Sequence, residues 1–329
     1  MIITMKVFRF FLYILLVFLV FSCSRAKETG EIAIYVIKGS SGLCVLPLFE
    51  NPPRVKGVAV RMVALAGADL AAADFITGVA KVGFLPPNVA AKIASSGRNI
   101  QVAAVTGEGM LSLLSSDPDV FEMGDLAGKR VEIAGAGATP EYVFRRLLLN
   151  RGLEPGRDVI LGFSLAYPEI AQSLISGRIS TGLLPEPFAS MALGQGADGS
   201  VLPIKRIGDI QAEWMAAYGS VFPMTVLVVD GYFAASNSEA VAVILDSIRE
   251  SIEWVNANPV KAAELTERHD IGINASVATA AIPAGNFVYV PAVNARPSLE
   301  ALYRVFLEFA PQSIGGSMPG DDFYYSRQP

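Results

Sequence analysis

Four short stretches carry residue types that can hold a small polar molecule: Lys38-Gly39-Ser40-Ser41, Pro86-Pro87-Asn88, Gly137-Ala138-Thr139 and Pro185-Glu186-Pro187. Each follows an apolar run that reads as a strand and precedes a run that reads as a helix. A helix opening leaves backbone N–H groups free and carries the positive end of the helix dipole, so each such loop favours an anionic group by about 0.3–1 kcal/mol. Ser40, Ser41 and Thr139 add hydroxyls that can donate to a ligand or cap their own helices. Lys38 can pair with an anion or extend into solvent. Glu186 is the odd member. Its carboxylate can accept hydrogen bonds from an amine or a protonated ring, or it can simply compensate a helix dipole. Tyr167, Phe188 and Phe222 fall near these loops and can stack on a ring or pack in the core.

Other chemistries lack their residues. Gly135-Ala136-Gly137-Ala138-Thr139-Pro140 partly mimics a dinucleotide fingerprint, but Pro140 replaces the third glycine. The next strand ends at Phe163-Ser164 with no acidic residue to hold a ribose. A phosphate-sized anion nest is the most this loop can be. The single histidine, His269, stands in the charged stretch Glu267–Asp270, and Cys44 is the only cysteine besides Cys23. Zinc sites and histidine-based triads have little to work with, and no phosphate-loop lysine motif is present. No catalytic residue, metal or cofactor is expected.

The elements that must position the four loops repeat. Sliding residues 32–97 onto 131–196, an offset of 99, gives 13 identities in 66 positions, against roughly four or five expected from average usage. Structural punctuation aligns: Gly78 with Gly177, Gly83 with Gly182, Pro86 with Pro185 and Gly97 with Gly196. Each unit reads strand–helix–strand–helix–strand–helix. In the first, strands are expected at 31–37, 58–63 and 82–85, with helices at 43–50, 68–76 and from Pro86 to about Ser95. In the second, strands are expected at 129–134, 158–163 and 179–184, with helices at 141–150, 168–175 and from Pro185 on. Such alternation predicts parallel βαβ sheets with right-handed crossovers, which bring the strand-to-helix loops to one edge, where open α/β sheets bind ligands. Two coinciding generic βαβ stretches would also explain the repeat. Gln101–Thr106 and Met110–Leu114 read as further strands. Thr225–Val229 reads as a strand returning to the first unit, followed by helices at 237–255, from Pro259 to about Arg268, and 297–309.

The ends and the composition bound the rest. Lys6 and Arg9 precede an apolar run, Phe10–Phe21, and then Ser22-Cys23. This is the pattern of a signal peptide over residues 1–22. The run falls short of the roughly 20 apolar residues a membrane span needs. Val20-Phe21-Ser22-Cys23 resembles a bacterial lipobox, with Phe21 where a smaller residue is usual. Cys23 would then be lipidated and tether a soluble body to the membrane, and Cys44 would have no disulfide partner. Losing Lys6 and Arg9 leaves 24 Lys+Arg against 31 Asp+Glu, net −7. With no basic block, nucleic acid is not an expected partner. About 300 residues suffice for two domains with cores of their own.

The motifs Phe84-Leu85-Pro86-Pro87-Asn88, Asp125-Leu126-Ala127-Gly128-Lys129, Leu184-Pro185-Glu186-Pro187-Phe188 and Ser251–Pro259 give the chain a family resemblance. It resembles the substrate-binding lipoproteins of bacterial ABC importers, in the nitrate, sulfonate, taurine and thiamine-precursor class. The resemblance implies the type II periplasmic-binding-protein fold: α/β, two lobes, each a mainly parallel sheet flanked by helices, joined by two crossovers. Residues 31–115 with 225–329 would form lobe 1 and residues 116–224 lobe 2, with crossings near Ser115-Ser116 and Phe222–Met224. It further implies an exported monomer, lipid-anchored to the cell membrane and facing the periplasm or exterior. The protein would capture a small anionic or nitrogen-containing aromatic solute between the lobes and pass it to ABC permease and ATPase subunits. An enzyme of lyase-type chemistry on the same fold and a sensor lipoprotein remain the alternatives at this point.

Overall fold

Strand β1 (Ile32–Ile37) turns Ile34 and Val36 to one side and Tyr35 to the other, and all three are buried. A strand buried on both faces needs a layer of structure on each. In this computed structural model, which describes residues 31–56, 58–199 and 203–327, both layers are present. The expected signal peptide and Cys23 lie outside the described residues. Helix α10 (Ser238–Ala257) packs Ile244, Ile248 and Ile252 in one cluster with Ile34 and Val36. Helix α13 (Ala292–Phe309) packs Leu299, Leu302 and Phe306 in another cluster with Tyr35. Between them, β1 belongs to a seven-stranded sheet with β2 (Arg54–Val55), β3 (Val58–Leu65), β4 (Val82–Leu85), β5 (Ile100–Glu108), β11 (Pro223–Asp230) and β12 (Phe287–Pro291), in the order β12-β5-β11-β4-β1-β3-β2.

A second sheet has five strands in the order β10-β6-β9-β7-β8: β6 (Leu111–Ser115), β7 (Arg130–Ile133), β8 (Ile160–Gly162), β9 (Thr181–Pro185) and β10 (Lys205–Asp209). The internal repeat is visible in this order. β1 lies parallel between β3 and β4, and β7 lies parallel between β8 and β9. An antiparallel strand then follows in each sheet, β11 beside β4 and β6 beside β9. Register is close to equivalent: Ile34 pairs with Val82, and its repeat mate Ile133 pairs with Leu183, two residues beyond the strict offset. A two-residue shift keeps every side chain on its own face.

Gly83 and Gly182 have one shared cause. A Cβ on Gly83 would stand 2.8 Å from the Tyr35 carbonyl oxygen and 3.3 Å from the Phe75 ring. A Cβ on Gly182 would stand 2.7 Å from Ile170 and 3.4 Å from Leu174. Phe75 and Leu174 are themselves 99 positions apart and lie on equivalent helices, α3 (Ala68–Thr77) and α6 (Tyr167–Ile175). Each helix presses on its strand where the glycine leaves room.

Two expectations need correction. The helix expected over Leu43–Glu50 is two short ones, α1 (Ser40–Leu43) and α2 (Leu46–Glu50). A continuous helix would require an N–H from Pro47, which has none. The first crossing between the sheets is at Gly109-Met110, not near Ser115-Ser116. Leu111–Ser115 pairs with β9 and β10, so it belongs to the second sheet rather than ending the first lobe. The chain returns through α8 (Ile210–Tyr218) into β11, close to the crossing expected at Phe222–Met224. The two crossings are joined: the Gly109 N–H donates to the Phe222 carbonyl at 3.0 Å. Gly109 has φ +67°, and a Cβ there would meet Gln211 Oε1 at 2.7 Å. Gly109→Ala is therefore expected to cost about 1–2 kcal/mol, read as a lower midpoint in denaturant unfolding.

Candidate functional site

The strand-to-helix loops of both sheets converge on one cleft of about 480 Å³, within the usual size of a small-molecule site. From the first sheet come Ile37 to Ser41 after β1, Ala66-Gly67-Ala68 between β3 and α3, and Leu85-Pro86 ahead of α4 (Pro87–Ser95). From the second come Ala138–Pro140 at the start of α5 (Thr139–Asn150), Ala166–Pro168 at the start of α6, and Pro185, Glu186 and Phe188 at the start of α7 (Phe188–Gly199). Met110, Met224 and Thr225 from the crossings and Ile271-Gly272-Ile273 close the walls.

Of the residues expected at the site, Lys38, Gly39, Ser40, Ser41, Ala138, Thr139, Tyr167, Glu186 and Phe188 line this cleft. Pro87, Asn88, Gly137 and Phe222 do not. Phe222 is fully buried with its ring edge-on to Trp214, because the chain turns it into the core at the crossing. Asn88 is buried and its Nδ2 donates to the Gly137 carbonyl at 3.3 Å, so this pair ties a loop of one sheet to a loop of the other. Pro87 is buried, and its carbonyl accepts from Tyr303 Oη at 3.1 Å.

Several candidates are occupied by the protein itself. The Ser41 hydroxyl donates to the Ile37 carbonyl at 2.8 Å and accepts from the Ile37 N–H at 2.9 Å. Lys38 Nζ stands 2.6 Å from the Asp270 carboxylate. The loop expected to form an anion nest is already filled: the Gly137 N–H donates at 2.7 Å to Glu141, whose other oxygen accepts from Arg145 Nε at 2.7 Å. At the next two helix openings the Ala166 N–H donates to Glu169 at 2.8 Å, and the Ser190 N–H donates to Glu186 Oε2 at 3.0 Å. At each of these openings one backbone N–H is thus already engaged by a carboxylate of the chain itself.

Three groups remain available. Glu186 is only 2 % exposed, and its Oε1 has no hydrogen-bond partner, with Arg206 at 3.7 Å as the nearest cation. Burial raises its pKa, opposed in part by hydrogen bonding from Ser190 and by Arg206. The backbone of Glu186 is anchored to the first crossing, its N–H donating to the Met110 carbonyl at 2.9 Å. Thr139 Oγ1 is likewise buried without a partner. Tyr167 and Phe188 stack on each other, ring centroids 5.6 Å apart and planes 18° apart, forming an aromatic wall; burial also raises the Tyr167 pKa. Among the described residues, no cluster of three or more His, Cys, Asp or Glu could hold a metal ion, and no helix is long and apolar enough to cross a membrane. The apolar residues at the crossings and at Ile271–Ile273 carried no local signal in the sequence, since they reach the cleft only through the path of the chain.

The fold and the cleft define a two-lobed α/β architecture of the type II periplasmic-binding-protein kind. It is similar to an ABC transporter protein of Parabacteroides distasonis, at 23% identity over 90% of this chain and 99% of that one, with a TM-score of 0.76. It is also similar to the periplasmic aliphatic sulphonate binding protein SsuA of Escherichia coli, at 15% identity over 91% and 92%, TM-score 0.72. The periplasmic nitrate-binding protein NrtA of Synechocystis matches at 12% identity over 75% and 68%, TM-score 0.58. Residues 57–269 match the model of the NMT1-like family, and the chain belongs to that family. No curated protein matches it.

Proposed function

We propose that this protein is a lipid-anchored solute-binding protein that captures a small anionic or nitrogen-containing aromatic solute between its lobes and delivers it to ABC permease and ATPase subunits. The observation that carries this reading is the cleft itself: loops from both sheets line it, Glu186 and Thr139 among them, and each of these two carries a buried side-chain oxygen without a hydrogen-bond partner. A ligand can favour closure only if it binds the closed form better than the open one, and contacts to both sheets supply that difference. The functional neighbours, an ABC transporter protein and a sulphonate-binding protein, support the same reading. In this reading the lobes are residues 31–115 with 225–329 and residues 116–224, except that β6 (Leu111–Ser115) moves from the first to the second.

Native mass spectrometry of residues 24–329, followed by denaturation, tests the reading. A stoichiometric small molecule released only on unfolding is the expected result. An empty protein that also fails to respond to every candidate solute in thermal-shift screening would count against it. The anchor is tested separately. Cys23→Ser is expected to move the protein from the membrane fraction to the soluble exported fraction almost completely, because the acyl chains supply the membrane affinity. Unchanged membrane association would remove Cys23 as the anchor.

A further inference from the structure

We propose that the cleft selects a flat, largely apolar solute that presents a hydrogen-bond donor, an amine, an amidine-like N–H or a protonated ring nitrogen, to Glu186, and that it rejects oxyanions. This deepens the proposed function and rests on it. It departs from what a nitrate- or sulphonate-binding neighbour by itself would suggest.

The argument starts from the polar inventory of the cleft. An oxyanion needs donors or a cation, and several of those nearby are already engaged by the chain's own carboxylates. The N–H groups at the openings of α5, α6 and α7 donate to Glu141, Glu169 and Glu186, each a carboxylate of the chain itself. Lys38, the cation that lines the cleft, is paired with Asp270. Arg145 is paired with Glu141. Arg206 approaches Glu186 to only 3.7 Å, beyond hydrogen-bond range, and is about half exposed. An oxyanion placed against Glu186 would therefore meet a carboxylate oxygen, with no cation within hydrogen-bond distance of it.

A donor-bearing solute meets the opposite situation. Glu186 Oε1 is buried and lacks a partner, and a carboxylate oxygen can only accept. A buried acceptor left unpaired is costly, and an N–H placed on it makes a charge-assisted hydrogen bond. Thr139 Oγ1, also buried and unpartnered, can donate to or accept from a second polar atom of the solute. The Tyr167–Phe188 wall offers a flat apolar face, and a cationic or electron-poor ring gains further by lying against an aromatic surface.

Matched ring probes test the proposal. Benzamidine, a planar cationic donor, and aminopyridine, a smaller donor, are compared with benzenesulfonate and nitrate by calorimetric titration of the wild type and of Glu186→Gln. At least one donor probe is expected to bind in the millimolar range or better, and to weaken by about tenfold or more in Glu186→Gln. Neither oxyanion is expected to bind. Binding of benzenesulfonate or nitrate to the wild type, donor binding that is unchanged in Glu186→Gln, or no binding of either donor at millimolar concentration would each overturn the donor proposal. Oxyanion binding would leave the solute-binding function standing. Failure of all four probes, together with an empty protein in native mass spectrometry, would bring down both.

Discussion

Glu186→Gln is expected to make the empty protein more stable while weakening its hold on the solute. In the empty cleft one carboxylate oxygen is buried without a donor, so its negative charge is poorly solvated. Burial raises the pKa of this group above that of the unfolded chain. The sign follows directly. Below the ordinary glutamate range both states are protonated and Glu186 costs nothing. As pH rises, the unfolded chain ionises first, so the folded state loses stability until pH passes the raised pKa of the buried group. Above that the loss is constant. The neutral amide removes it, and its gain should be on the order of 1 kcal/mol at neutral pH. The melting temperatures of wild type and variant should thus coincide in acid and separate as pH rises, with the variant higher. Loss of the charge-assisted bond to a donor solute should cost about 1.5–3 kcal/mol, roughly 10- to 150-fold in affinity. A purely structural glutamate would show neither the stability gain nor the lost ligand response. A variant less stable than wild type at neutral pH would show that the Ser190 and Arg206 contacts outweigh the burial.

Glu141→Ala should act in the opposite direction. The Glu141 carboxylate is buried, closes the Gly135–Pro140 loop through the Gly137 N–H and holds Arg145. Removing it strands a backbone donor and a guanidinium together, an expected loss of about 2–3 kcal/mol. The vacated loop then has what the native protein lacks, a free N–H at a helix opening beside an unpaired cation, which is the chemistry of an anion site. Sulfate should therefore recover part of the lost melting temperature in Glu141→Ala. Sulfate also stabilises proteins generally by exclusion from their surfaces, so the meaningful quantity is its effect on the variant beyond its effect on the wild type. Equal effects on both would show that the loop does not become an anion site when Glu141 is removed.

The architecture was legible because it is written in local patterns. An unbroken apolar run defines β1, and the 99-residue offset pairs Gly83 with Gly182 and Pro86 with Pro185. Those positions answer a local demand, a helix pressing on its strand or opening after it, and the demand recurs wherever the βαβ unit recurs. The cleft could be placed for the same reason: parallel strands with right-handed crossovers bring their outgoing loops to one edge. Nine of the expected site residues do line it.

What those side chains do there was decided by tertiary structure. Lys38 is paired by Asp270, 232 positions away, and no local pattern predicts that meeting. Ser41 bonds to Ile37 rather than to the cleft, and Phe222 turns inward onto Trp214 because the crossing places it there. The sheet that receives Leu111–Ser115 depends on pairing with β9, some seventy positions later. Even Glu141, only four positions beyond Gly137, became the occupant of the presumed anion nest through its rotamer and its burial. Residue spacing by itself determines which elements form and where their ends gather, because backbone hydrogen bonding and apolar periodicity act over a few residues. Whether a gathered donor or acceptor is free for a ligand depends on every other group that reaches it, and only the folded chain brings those groups together.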